Sequence, residues 1–308
     1  MKRIAITGAT GLIGTSLIRS CIKNQIEVLA LLRPQSPRVK DLPRDNLLTI
    51  VPCALAELPT LDISAISCCD AFFHFGWEGI YGNARNDSSL QNANIQHTLD
   101  AVELAHRLHC KVFIGAGSQA EYGRTNEMLR ADTPTFPESG YGIAKLAAGG
   151  LSRLHAHQLG MKHIWCRILS VYGIGDNPFT LIQSAIAAFL KGDAGHFTAG
   201  EQLWDYLYCD DAATALLKLA ESGQDGHVYP LGSGQAHPLK EYIIKIAEAC
   251  DNKVSPNLGA RPYGENQLMY LCADTSDLIR DIGFHPQVDF DEGIRRTVEW
   301  YKTARLQK

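Results

Sequence analysis

Tyr141 and Lys145, in the run Tyr141-Gly-Ile-Ala-Lys145, form the one Tyr-x-x-x-Lys pair in this chain. A phenol and an ammonium four residues apart on a helix lie on one face, one turn apart. The cation is expected to favour the phenolate and draw the tyrosine down from its ordinary pKa of about 10. A tyrosine poised in this way can give or take the proton of a sugar or alcohol hydroxyl. Spacing alone says little among eleven tyrosines, so the surrounding residues decide. Ser118, in Gly117-Ser118-Gln-Ala-Glu121, ends a strand-like run at the edge where parallel sheets bind ligands. Its hydroxyl can bond the same substrate oxygen that Tyr141 protonates. Glu121, read along an extended stretch, is expected to face away from Ser118.

A second constellation lies near the start, where Thr7-Gly8-Ala9-Thr10-Gly11-Leu12-Ile13-Gly14 joins an aliphatic run to a helical pattern. Glycines there allow a tight turn, backbone approach to a pyrophosphate, and close seating of the helix on the sheet. The helix N-terminus offers free N–H groups and a positive dipole end to phosphate. Gly8, Thr10, Gly11, Leu12, Ile13 and Gly14 are therefore candidate dinucleotide contacts. An acidic residue ending the second strand would suit the ribose of NAD, and arginine the extra phosphate of NADP. Glu27 opens that strand, whereas Arg33 follows its end, with Ser36 and Arg38 nearby. A guanidinium with a hydroxyl favours NADP, with NAD as the alternative. The bland reading of Arg33 is a solvated loop arginine.

The elements that position these groups alternate through the first half. Strands are expected at residues 3–7, 26–32, 47–51, 71–75, 111–115 and 163–169, with helices at 12–24, at 92–108 and around Tyr141. Near-continuous apolar strands alternating with helices mean a doubly wound parallel α/β sheet of Rossmann type with right-handed crossovers. After Tyr172-Gly173 helical patterns dominate and loops lengthen. The expected division is a dinucleotide domain over residues 1–173, with returns to its sheet near 205–232. A smaller, mostly helical and discontinuous substrate lobe covers 174–308.

Composition narrows the partners. A net charge of −4 gives no electrostatic reason to expect nucleic acid or an anionic membrane. No apolar run approaches the roughly 20 residues of a bilayer span. The first residues lead straight into a strand and leave no room for a signal peptide, so a cytoplasmic home is expected. Nine cysteines without Cys-x-x-Cys spacing read as reduced thiols, and eleven dispersed histidines suggest no metal site.

Taken in order, these segments resemble the extended short-chain dehydrogenase/reductase family of nucleotide-sugar epimerases, dehydratases and reductases. The likeness spans nearly the whole chain: the glycine loop, Phe73-His74, Asn94 in its helix, Ser118, Pro137 to Lys145, Arg167 to Gly173, and Asp205 to Asp211. It implies that Ser118, Tyr141 and Lys145 are the catalytic trio. Lys145 would also bond the nicotinamide ribose, and Tyr141 would move a proton as hydride moves at the nicotinamide. It further implies a homodimer built on the helices carrying Asn92 and Tyr141.

Departures refine the expectation. Gln119 and Ala120 stand where dehydratases of this family carry acids, which argues against elimination chemistry. Trp204 replaces an arginine that grips the substrate diphosphate, Ser170 replaces an asparagine, and Ala54-Leu55 replaces an acid near adenine. Arg261 is a candidate to restore the missing charge from the second lobe, or else a surface residue. Trp77, in a glycine- and aromatic-rich loop after the fourth strand, is a candidate lid over cofactor and sugar, or else core. The expected activity is NADP-dependent reduction of a nucleotide-activated 4-keto-6-deoxyhexose. The alternative is an NAD-dependent 4-epimerase. A non-catalytic cofactor sensor fits less well, because both Tyr141 and Lys145 are present.

Overall fold

In the computed structural model, which describes residues 1–306, seven parallel strands form one sheet. The last two residues of the expected second lobe lie outside the described residues. Strand β1 (Arg3–Thr7) leads to α1 (Leu12–Lys23), β2 (Glu27–Leu32), β3 (Leu48–Pro52) and β4 (Ala71–His74). There follow α2 (Ser88–Arg107), β5 (Val112–Ser118), α3 (Gly140–Gln158) and β6 (Lys162–Ile168). The sheet order is β3-β2-β1-β4-β5-β6, completed by β9 (Val228–Leu231) beside β6. Strands β4 and β5 are buried along their whole length. Apolar cores fill both faces, one against α1 and the other against α2. That two-sided burial explains why these strands read as continuous apolar runs.

A second, small sheet lies in the other lobe. It joins β7 (Ser170–Tyr172), β8 (Leu203–Tyr208), β10 (Ala236–Pro238) and β11 (Tyr270–Leu271). Around it pack α4 (Leu181–Phe189), α6 (Leu239–Ala249) and α8 (Phe290–Leu306). Helix α5 (Cys209–Ser222) lies against α1, and α7 (Ser276–Ile282) against α5.

Two expectations need correction. Residues 205–211 do not return to the large sheet: β8 pairs with β7, β10 and β11. The buried Asp205 carboxylate accepts the N–H groups of Ser233, Gly234 and Ala273, tying β8 to those loops instead. Helix α2 also begins at Ser88 rather than Asn92, because the Asp87 carboxylate caps it by accepting the Leu90 N–H at 3.1 Å. No helix among the described residues is long and apolar enough to cross a membrane.

Two imidazoles are enclosed in the large domain. His74 lies between the Thr7 and Thr98 hydroxyls, at 2.8 and 3.3 Å, and His163 meets the Ser152 hydroxyl at 2.9 Å. Burial pushes both rings down from 6.5 to about 3. The folded chain thus keeps them neutral while the unfolded chain binds protons below 6.5. Stability is complete above pH 6.5 and is lost as pH falls toward about 3. Urea unfolding followed across that window is expected to show this decline, and His74→Gln should reduce its slope by up to one proton.

Candidate active site

The site forms where the C-terminal ends of β1, β4 and β5 meet the start of α3. Ser118 ends β5 and is itself the cap of a single helical turn over Gln119–Glu121. Its Oγ accepts the Ala120 N–H at 3.2 Å, which leaves the hydroxyl proton free for another acceptor. Tyr141 and Lys145 stand in the first turns of α3, which Ser139 caps by accepting the Gly142 N–H. The Ser118 hydroxyl lies near the Tyr141 phenol and acts to lower its pKa.

Lys145 does not lower Tyr141. Burial raises the phenol above its ordinary value, against the opposing effects of the Ser118 hydroxyl and the Arg85 charge. The Lys145 Nζ lies 5.8 Å from the tyrosine ring centroid, donates to the Ala116 carbonyl at 2.6 Å, and sits 3.7 Å from the Trp77 ring centroid. Burial brings that ammonium down to about 7, with Glu121 acting in the opposite sense. The phenol is therefore held protonated, in the form that donates.

Trp77 stands edge-on to Tyr141 at 6.0 Å between ring centroids. Its indole N–H donates to Gln91 at 2.9 Å. Gln91 also donates to the carbonyls of Gly79 and Ala84, and Asn94 bonds both backbone groups of Glu78. Two buried amides three residues apart on α2 thus pin the loop that carries Trp77. Arg85 packs over the other side of Tyr141, 4.3 Å from its centroid. Spacing along the chain offered no signal for Arg85 or Gln91.

Glu121 also departs from expectation. The chain turns at Ser118 instead of running on extended, so the carboxylate reaches back and accepts the Ser118 N–H at 2.8 Å. It is fully buried and paired with Arg167 at 2.7 Å.

The glycine loop fits a dinucleotide. Gly8 has φ +70°, and a Cβ on it would lie 2.5 Å from the Phe75 backbone. A Cβ on Gly14 would lie 2.4 Å from the Gly8 carbonyl oxygen. Gly11 caps α1 without any side-chain bond and no acid stands in the first turn, so the helix end is free for an anion. Gly8, Thr10, Gly11 and Arg33 line a cavity of about 310 Å³ that also reaches Trp77. The side chains of Leu12 and Ile13 pack against the apolar cores, while their backbone stands in the uncapped first turn of α1. Arg33 is exposed at the cavity rim, while Arg38 donates to the Gly175 carbonyl. Glu27 is occupied by Arg3 at the far end of β2.

The remaining candidates lie apart from this group. Ser170 accepts the Trp204 indole N–H at 2.8 Å, so the two residues that replace the expected diphosphate contacts bond each other. Arg261 is exposed, and its backbone N–H meets the Phe197 carbonyl at 3.0 Å.

Comparison with known proteins agrees with this architecture. A dTDP-glucose 4,6-dehydratase of Neisseria gonorrhoeae is 25% identical over 100% of this chain and 97% of its own length. A CDP-abequose synthase of Salmonella muenchen is 26% identical, with 96% of each chain covered. Among solved structures, the UDP-N-acetylglucosamine 4-epimerase from Methanobrevibacter ruminantium M1, in complex with UDP-N-acetylmuramic acid, superposes with a TM-score of 0.88 at 22% identity. That match covers 98% of this chain and 99% of the epimerase. Residues 4–232 match the profile of one family of enzymes, and on that match, over the sheet and the site just described, the chain belongs to the NAD dependent epimerase/dehydratase family.

Proposed function

We propose that the protein reduces the keto group of a nucleotide-activated 4-keto-6-deoxyhexose with NADPH. The observation that carries this reading is the Tyr141 phenol enclosed beside the Ser118 hydroxyl, a tyrosine that burial keeps protonated. When bound, the nicotinamide supplies the hydride. Tyr141 then gives its proton to the carbonyl oxygen as that oxygen gains charge, and the free Ser118 proton bonds the same atom. Lys145, one helical turn on from the tyrosine and bonded to the Ala116 carbonyl, is the candidate contact for the cofactor ribose. Gln119 and Ala120 supply no acid or base beside Ser118, and Glu121 is fully occupied beneath it. Without a second base, a dehydratase is disfavoured despite the dehydratase relatives.

Assay of NADPH loss with nucleotide-linked 4-keto-6-deoxyhexoses tests the reading. Wild type should consume NADPH, and Tyr141→Phe should lower kcat by about 10²–10⁴-fold with cofactor affinity little changed. Interconversion of 4-epimeric sugars with no cofactor added would overturn the reductase reading in favour of an epimerase. Retained turnover in Tyr141→Phe would remove the proton donor.

The preference for NADP rests on Arg33, exposed at the cavity rim with Ser36 beside it and no acid ending β2. Arg33→Asp is expected to weaken NADPH binding about tenfold or more while sparing NADH, measured by fluorescence titration. Equal loss of both cofactors would refute the assignment.

The second lobe, residues 174–308, is the proposed holder of the sugar nucleotide, with Ser170, Trp77 and Arg261 as candidate contacts. A homodimer is supported by the outer face of α3, where Ile143, Leu151 and Leu154 are 56%, 46% and 58% exposed. Sedimentation should report a dimer for wild type and a monomer for Leu151→Glu/Leu154→Glu.

A further inference from the structure

We infer that Glu121 is a positioning residue of this site, its buried carboxylate fixing Ser118 and holding the charge of Lys145 from beneath the substrate surface. The inference rests on the roles proposed above for Ser118, Tyr141 and Lys145.

Three donors converge on the carboxylate. One oxygen accepts the Ser118 N–H at 2.8 Å and the Trp165 indole N–H at 3.0 Å, and the other accepts Arg167 Nε at 2.7 Å. A Cβ on Gly117 would lie 2.6 Å from the first oxygen, so strand β5 runs directly over it. The residues on either side of Gly117 are Ser118, whose backbone the carboxylate holds, and Ala116, whose carbonyl takes the Lys145 ammonium. The buried anion thus lies against the short strand segment that carries both contacts.

Its charge matters as well as its bonds. The titratable groups facing Lys145 are His74 on β4, Tyr141 on its own helix, and Glu121, with Arg85 beyond the tyrosine ring and Arg167 beyond the carboxylate. His97 on α2 acts on His74. Glu121 is the one carboxylate among these groups. It opposes the burial that lowers Lys145 to about 7, so with a neutral side chain at 121 that burial would act unopposed.

The test is a carbon-13 NMR titration of the Lys145 side chain, its signal assigned by loss in Lys145→Met. Wild type is compared with Glu121→Gln and with Glu121→Gln/Arg167→Gln, the latter leaving no buried charge unpaired. The expected result is a midpoint about one pH unit lower in both variants, with the alkaline limb of turnover moving the same way. An unmoved midpoint in the folded double variant would overturn the inference. The titration needs no turnover, so it is separable from the catalytic reading: activity surviving in Tyr141→Phe would defeat that reading and leave the Glu121–Lys145 coupling standing.

Discussion

The indole of Trp165 sets the distance at which the site operates. It lies between β5 and α3, in space that side chains at residues 115, 117 and 149 would otherwise take. A Cβ on Gly115, Gly117 or Gly149 would come within 2.2, 2.4 or 2.7 Å of it. Interiors close-packed to this degree do not tolerate added volume without displacement. The ring also continues a stack across the sheet through His163 and Phe113 to Phe72, with neighbouring centroids 5.7–6.0 Å apart. Its N–H meets the Glu121 carboxylate. The approach of α3 to the sheet, and hence the reach of Lys145 to the Ala116 carbonyl, follows from one wedge and three missing side chains.

Around that wedge the site combines rigid and adaptable parts. The groups proposed for proton transfer stand on the end of a central strand and the first turns of a long helix, where backbone bonds restrain them. The roof is a loop, but Gln91 and Asn94 bond its backbone from α2. Loops fastened in this manner carry function without losing position. The Glu121 carboxylate is matched by Arg167 and buried Asp205 by three backbone N–H groups, which satisfies the requirement that an interior ion be paired or hydrogen-bonded.

Much of this could be read before the fold was known. Two-sided burial gives the inner strands an unbroken apolar character, and the glycine loop has a backbone reason for each of Gly8 and Gly14. The spacing Ser118-x-x-Glu121 was itself a turn signature, a hydroxyl cap answered three residues on by a carboxylate. Treating that stretch as extended hid the role of the glutamate. Other features had no local trace. The effect of Lys145 on Tyr141 depended on burial and on which acceptor took the ammonium, and neither follows from helix spacing. A return to the large sheet was expected over residues 205–211, but the strand Leu203–Tyr208 pairs in the small sheet and is held by contacts to Ser233, Gly234 and Ala273, remote in sequence.

The bond from Arg38 to the Gly175 carbonyl joins the loop after β2 to the segment that follows β7. The first lines the cavity beside the glycine loop and the second leads into the small lobe. The bond uses one of the five N–H donors of the guanidinium and leaves the others to face the cavity that Arg38 lines. One guanidinium thereby links the rim of the cavity to the chain that enters the small lobe, so the two cannot shift independently while that bond holds.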